Sequence, residues 1–228
     1  MALKIDLEQL RDFTAEENTL IDGPSRGLSA ETLALRENLT RQRFHSERIK
    51  SNLHQATSWV SEFIGDRFVE LAKTPKDTEA IRQLEAWTKS NSWALVLAGG
   101  VGAGKTVAMA HLAFATIANE QARPRFLNAT RLPFEPVFGH EAGQFVDRLS
   151  FGNLLLLDDL GAETISAPIV SVIAAVVDFR YRHLSKTVIT TNLPLKEFAE
   201  RYGQRVADRV LDGGTWIELS DASMRGAK

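Results

Sequence analysis

The run Gly99-Gly100-Val101-Gly102-Ala103-Gly104-Lys105-Thr106 fits the pattern G-x-x-x-x-G-K-[ST], and each residue type in it has a chemical task. Glycines let successive backbone N–H groups turn into one concavity, and the helix start that follows adds positive potential. Lys105 then reaches the outer phosphates of a bound nucleoside triphosphate, and the Thr106 hydroxyl ligates Mg2+. On this reading Gly99 to Thr106 cradles Mg-ATP. A flexible glycine-rich turn is the alternative. The flanks argue against it, because the apolar run Trp93 to Ala98 precedes the loop as a strand would and Val107 to Ala118 follows it as a helix would.

Three further groups could share that site. Leu154-Leu155-Leu156-Leu157 is an apolar strand ending in Asp158 and Asp159, which brings carboxylates to a sheet edge where phosphates bind. Asp158 is expected to hold the Mg2+ shell together with Thr106. Asp159 is expected to orient or deprotonate the attacking water, since phosphoryl transfer needs in-line attack and charge neutralisation. Thr190-Thr191-Asn192 closes another strand, and its terminal amide can reach between the γ-phosphate and the water; an ordinary turn before Pro194 is the other reading. Arg201, Arg205 and Arg209 recur at four-residue steps, so they share one helical face provided Gly203 does not interrupt it. They form either a solvated basic face or a source of an arginine for another subunit's γ-phosphate, where a planar, permanently charged fork stabilises the transferring group.

Positioning these groups takes a strand and helix alternation. Short apolar strands are expected at Trp93 to Ala98, Arg125 to Asn128, Leu154 to Leu157, Thr187 to Thr191 and Trp216 to Leu219, which implies an α/β fold with a five-stranded parallel sheet sandwiched by helices. Pro168 to Arg182 is apolar nearly all round and reads as a buried helix entered at Ser166. The first 72 residues carry helical signals instead. An acidic amphipathic stretch runs from Leu3 to Leu20, Asp22 to Gly27 breaks it, and a helix restarts at Ser29 and runs to about Lys50. Beyond it Ile49, Leu53, Ala56, Trp59, Val60, Phe63, Phe68 and Leu71 fall on one helical face despite Gly65. The chain therefore divides into an N-terminal helical region, 1–72, and an ATPase domain, 73–228.

Bulk composition narrows the chemistry. Of 228 residues 44% are apolar and 25% charged, the proportions of a globular chain with a sizeable core. A net charge of -2 gives no overall pull toward a phosphate backbone, so nucleic-acid binding would need a local patch. The absence of cysteine excludes disulfides, thiolate metal sites and cysteine nucleophiles, and the five histidines have no metal-ligand spacing. No stretch approaches the ~18 apolar residues of a membrane span and no secretory leader is visible, which places the protein in the cytoplasm without a membrane partner.

These blocks together resemble a known family: the bacterial AAA+ ATPases of the helicase-loader and insertion-sequence helper group, of the DnaC/DnaI/IstB type. The match is carried by Gly99 to Thr106, by Leu154-Leu155-Leu156-Leu157-Asp158-Asp159-Leu160-Gly161-Ala162-Glu163, and by Thr190-Thr191-Asn192-Leu193 followed by Tyr202-Gly203-Gln204-Arg205-Val206-Ala207-Asp208-Arg209. The resemblance covers about residues 75 to 228 and implies a P-loop fold with a truncated lid, since only nine residues follow Leu219. It implies that Lys105, Thr106 and Asp158 bind Mg-ATP, that Asn192 is the sensor-1 residue, and that Arg209, or alternatively Arg205, is the arginine finger. Arg225 in Ala222-Ser223-Met224-Arg225 resembles the sensor-2 arginine, with Met224 in place of the usual aromatic. Asp159 stands where many relatives carry glutamate, and the shorter carboxylate implies slow hydrolysis.

The resemblance also implies partners: single-stranded DNA, further copies of the chain assembled with ATP, and a protein client. The first expected client is a DnaB-type replicative helicase loaded onto DNA; the alternative is a transposase, with the protein acting as an IstB-like transposition helper. In residues 1–72, Leu28, Leu33, Leu35, Leu39 and Phe44 among Arg36, Arg41, Arg43, Arg48 and Lys50 are the candidate grip. For DNA, Arg131, Phe134, Phe138, Phe145 and Arg148 mix bases' stacking partners with phosphate-tracking charges. A small-molecule kinase would need a basic lid insertion that is not there, and an adaptor that binds ATP without hydrolysing it remains the third reading.

Overall fold

The computed structural model describes residues 3, 5, 7 and 10–220. Its N-terminal region is helical, with elements laid out differently from the expectation. Helix α1 (Ala15–Asp22) begins at Thr14, whose hydroxyl accepts from the Glu17 N–H while the Glu17 carboxylate accepts from the Thr14 N–H. This reciprocal cap fixes the start at Ala15, so the residues described between Leu3 and Thr14 are not helical. Helix α2 (Ala30–Phe63) starts as anticipated, with the Ser29 hydroxyl accepting from the Thr32 N–H. It does not stop near Lys50, because no glycine or proline lies between Ala30 and Phe63. Gly65, at φ +128°, lies outside helical space and ends the run, so Phe68 and Leu71 belong to a 3-10 turn (Asp66–Phe68) and to α3 (Val69–Lys73) rather than to one continuous stripe.

Most basic residues of α2 are engaged locally. Arg43 pairs with Asp22 at 2.8 Å, Lys50 with Asp12 at 2.6 Å, and Arg36 donates to the Ile21 carbonyl and the Ser25 hydroxyl. Leu39, one of the candidate grip residues, is buried and cannot serve there; Leu33, Leu35 and Phe44 do face outward, Phe44 with 66% of its surface exposed.

The remaining elements are α4 (Glu79–Thr88), β1 (Ala94–Ala98), α5 (Lys105–Ala118), β2 (Arg125–Asn128), α6 (Ala142–Ser150), β3 (Leu154–Leu160), α7 (Ala167–Arg182), β4 (Lys186–Thr191), α8 (Leu195–Tyr202), α9 (Gln204–Leu211) and β5 (Thr215–Glu218). Among the described residues, five strands form one parallel sheet in the order β2-β3-β4-β1-β5. β1 and the leucines of β3 are buried at every position, which is why they read as continuous apolar runs instead of alternating ones. On one face α6 to α9 build a core around Phe145, Ile173, Val176 and Phe198. On the other, α4 and α5 pack Leu84, Met109 and Leu112 against Leu95 and Leu156.

A further layer lies outside α5. Ala56 and Val60 of α2 and Ala72 of α3 meet Ala110, Phe114 and Ile117. The alanines of α5 let both neighbours approach closely, so this helix is buried nearly all round. The N-terminal region is thus seated on the ATPase core through the second half of α2. Among the described residues no helix is long and apolar enough to cross a membrane. Phe114, 1% exposed, is the largest fully buried side chain in this joint. Phe114→Ala is expected to lower unfolding free energy by about 3–5 kcal/mol. Denaturant titration checks the size, and hydrogen exchange should show Leu53 to Val60 loosening more than β3.

Candidate functional site

The loop after β1 is shaped by close approach. The Gly99 N–H donates to the Thr191 carbonyl at 3.1 Å, and a Cβ at Gly99 would lie 3.1 Å from Leu219 Cβ. Gly102 and Gly104 have φ of +94° and +84°, in the region that side chains disfavour. Gly104 caps α5 without a side-chain acceptor, leaving the first-turn N–H groups to an incoming anion. Lys105 Nζ donates to the carbonyls of Gly99 (2.6 Å) and Gly100 (2.9 Å) and to Asn192 Oδ1 (2.8 Å). Burial pulls the Lys105 pKa down, and the charges of Asp159 and Asp158 oppose that shift.

The two carboxylates differ sharply in setting. Asp158 is buried and accepts from the Thr190 hydroxyl at 2.6 Å, the Thr106 hydroxyl at 3.2 Å and the Asn128 amide at 3.5 Å. Burial raises its pKa and the Asp159 charge adds to the rise, while the Thr190 and Thr106 hydrogen bonds counter it. Asp159 is half-buried and sits at φ +57°, where β3 slips register against β4 between Leu157 and Leu160. A non-glycine residue there stores about 1–3 kcal/mol of strain, which persists only where the surroundings impose it. Here Thr190 imposes it, because its hydroxyl accepts the Asp159 N–H at 2.9 Å while donating to Asp158. Neither Thr190 nor Asn128 is distinguished by its sequence position; only strand register places them beside Asp158.

Asp159 and Asn192 line a cleft of about 350 Å³ together with Val101 to Val107. Its other wall comes from Arg67, Phe68 and Leu71 of the N-terminal region and from Lys76 just beyond it. Sequence reasoning missed these four, since nothing in their spacing ties them to a loop thirty residues away. Apolar Phe68 and Leu71 suit a base or ribose face, and exposed Arg67 and Lys76 at the rim suit phosphate charge.

Other anticipated residues are dispersed. Gly203, at φ +94°, separates α8 from α9, so Arg201 does not share a helix with Arg205 and Arg209. Arg201 pairs with Glu163 at 3.0 Å. Arg209 is held against Asp178 and lies 5.6 Å from the Tyr181 ring centroid, its side chain 19% exposed. Arg205 approaches the same Asp178 at 3.5 Å but is 77% exposed. Neither Arg205 nor Arg209 lines the cleft. Arg225 lies outside the described residues. Of the DNA candidates, Arg131 is exposed and Phe134 is 88% exposed, whereas Arg148 pairs with Glu135 at 2.9 Å. Phe145 is buried in the core, because it lies on the inward face of α6, and cannot stack on a base.

A glycine-rich P-loop after an inner strand of a parallel sheet, with an acid pair near the end of a second strand and an amide just past the end of a third, defines a P-loop ATPase of the AAA+ type. The chain belongs to the IstB-like ATP binding protein family, whose model matches residues 31–227. No curated protein matches it. Among solved structures it resembles DnaI, at 22% identity over 66% of this chain and 86% of that one, with a TM-score of 0.53. AMPPCP-bound DnaA from Aquifex aeolicus is similar at 16% identity over 68% and 51%, with a TM-score of 0.55. A DnaA bound to AMPPCP and single-stranded DNA is similar at 18% identity over 62% and 44%, with a TM-score of 0.51. At such identities the likeness is one of fold.

Mg2+ fits the donors present. Among the described residues no cluster of three or more histidines or acids could hold a metal alone. Thr106 Oγ1 and Asp158 supply two hard oxygens 3.2 Å apart, so a Mg2+ there would complete its octahedron with phosphate oxygens and water. Because the folded Asp158 pKa lies above the ordinary 3.8, this group costs no stability below that value, and its penalty grows as pH rises through the folded pKa. Asp158→Asn is therefore expected to raise Tm at pH 7 while abolishing Mg2+-dependent nucleotide binding, the Tm gain vanishing near pH 3. Thermal melts at the two pH values and nucleotide titrations with and without Mg2+ check this.

Proposed function

We propose that Gly99 to Thr106 cradles the phosphates of ATP, that Thr106 and Asp158 hold its Mg2+, and that Asp159 orients the attacking water beside Asn192. Lys105, which bridges the loop carbonyls and Asn192 at the mouth of the cradle, supports a contact with the outer phosphates. The residues of 73–228 form this ATPase unit, and residues 1–72 serve as the partner-binding region.

The observation that carries the rest is the placement of the arginines. Arg205 and Arg209 sit on α9 and line no part of their own chain's cleft, which supports a role for one of them in the site of a neighbouring copy, where it would meet transition-state charge. ATP bound between subunits then drives assembly, and hydrolysis depends on protein concentration. Asp178 and Tyr181 hold Arg209 in the single chain; Arg205, more exposed, is the second candidate for the finger, and Arg225 is the sensor-2 arginine.

The assembled ATPase acts as a loader of a DnaB-type replicative helicase onto single-stranded DNA. The outward Leu33, Leu35 and Phe44 of the first half of α2, away from its joint with α5, support a grip on a protein client. Exposed Arg131 and Phe134, with Arg148 nearby, support contact with single strands. The IstB-like family match keeps the transposition helper, with a transposase as client, as the second reading.

Arg209→Ala is expected to lower turnover by about 10³-fold or more and to remove its dependence on protein concentration. An unchanged rate and concentration dependence would overturn the intersubunit site; a loss seen only with Arg205→Ala would move the finger to Arg205. A pull-down comparing a replicative helicase with a transposase decides the client. For DNA, Arg131→Ala with Arg148→Ala should reduce the slope of log affinity against log salt by about 1–2; an unchanged slope removes this patch.

A further inference from the structure

Beside the cleft lies a buried acid that the proposed chemistry does not use. The side chain of Glu163 is fully buried, and it accepts hydrogen bonds from three directions. Gly161 N–H donates to Oε2 at 2.8 Å, while Arg201 Nε (3.0 Å) and the Tyr202 hydroxyl (2.6 Å) share Oε1. The Arg201 guanidinium also donates to the Glu163 carbonyl. Burial and the adjacent carboxylate both push the Tyr202 pKa up, so its hydroxyl stays a donor. A carboxylate this deep is costly unless its partners are fixed, and fixed partners make it a rigid strut.

What the strut joins is informative. On one side is the turn leaving β3: Ala162 N–H donates to the Asp159 carbonyl at 3.0 Å, and Gly161 lies two residues from Asp159. Gly161 adopts φ +105° and is pressed on Leu193, which a Cβ there would approach to 2.7 Å; Leu193 directly follows Asn192. On the other side are the last residues of α8. Gly203 comes next, and α9 with Arg205 and Arg209 starts immediately after it. Tyr202 and Phe198 pack at 4.8 Å between ring centroids, their planes tilted by 53°, which anchors this helix end in the core.

We infer that Glu163 is a positioning residue that fixes the Asp159 turn to α8 and α9, so that the helix a subunit offers its neighbour and the carboxylate acting in its own site move together. The inference rests on the roles proposed above for Asp159 and α9. Through Glu163, docking of α9 against a neighbour's nucleotide sets the geometry of the water-orienting acid in the same chain. Successive sites in an assembly are thereby linked through one buried carboxylate.

The test uses the full-length chain with Glu163→Gln, which keeps the size and removes the charge. Turnover is measured against ATP and protein concentration, affinity with a fluorescent ATP analogue, and folding by Tm. Turnover at saturating ATP should fall about tenfold with affinity changed by no more than about twofold. Arg201→Lys, which retains a cation beside Glu163, should keep most of the activity. The effects of Glu163→Gln and Arg209→Ala should fall short of additive, since both act through α9. Unchanged turnover, or turnover and affinity falling together with Tm, overturns the inference. If Glu163→Gln fails to fold, Tyr202→Phe removes one donor and is read by the same separation of turnover from affinity. Asp159→Asn and Arg209→Ala are the controls. If both keep full turnover, the proposed chemistry fails and the inference with it; if both lose turnover and Glu163→Gln does not, only the inference fails.

Discussion

The parallel pairing of β3 with β4 and of β4 with β1 brings three strand ends to one edge of the sheet, and the site depends on that register. Asp158 pairs across to Asn128 on β2, while the slip between Leu157 and Leu160 brings the Thr190 hydroxyl under both acids. One hydroxyl therefore orients the buried carboxylate and holds the strained backbone of its neighbour. The loop after β1 meets the same edge through the hydrogen bond from Gly99 to Thr191. Parallel strands all end on the same side, so a phosphate cradle, a metal-holding acid and a polar amide can converge from segments almost a hundred residues apart.

Electrostatics make this convergence useful for a polyanion with a metal. Lys105 and Asp158 are both desolvated, one with its pKa pulled down and the other with its pKa pushed up by burial. Each charged form is held by a small set of neutral dipoles: loop carbonyls and the Asn192 amide for the lysine, threonine hydroxyls for the aspartate. A bound phosphate would offer the lysine, and its Mg2+ would offer the aspartate, a stronger partner than those dipoles.

The long α2 serves two environments. Its second half supplies small and apolar side chains to α5, which is why the P-loop helix is buried on the side turned away from the sheet as well as on the side facing it. Its first half is tied to α1 by the Arg43–Asp22 ion pair and keeps Leu33, Leu35 and Phe44 outside. The turn beyond α2 then contributes Phe68 and Leu71 to the nucleotide cleft, so the N-terminal region is both a wall of the site and a surface beyond it.

Local pattern alone determined the P-loop, the apolar strand that carries Asp158 and Asp159, the five parallel strands, the helix starts at Ser29 and Ser166 and the family resemblance, because each depends on residue type at short, fixed spacing. The break at Gly65 and the split at Gly203 were visible as glycines, but their backbone angles were not, since glycine tolerates helical and left-handed conformations alike. Tertiary structure decided the rest. It buried Phe145 and Leu39, tied Arg209 to Asp178 and Lys105 to Asn192, set Thr190 and Asn128 against the acid pair, and brought Arg201 and Tyr202 to Glu163. Those contacts join residues roughly 30 to 90 positions apart, and only sheet register and helix packing, which no short window of sequence encodes, bring them within a hydrogen bond or a ring contact of one another.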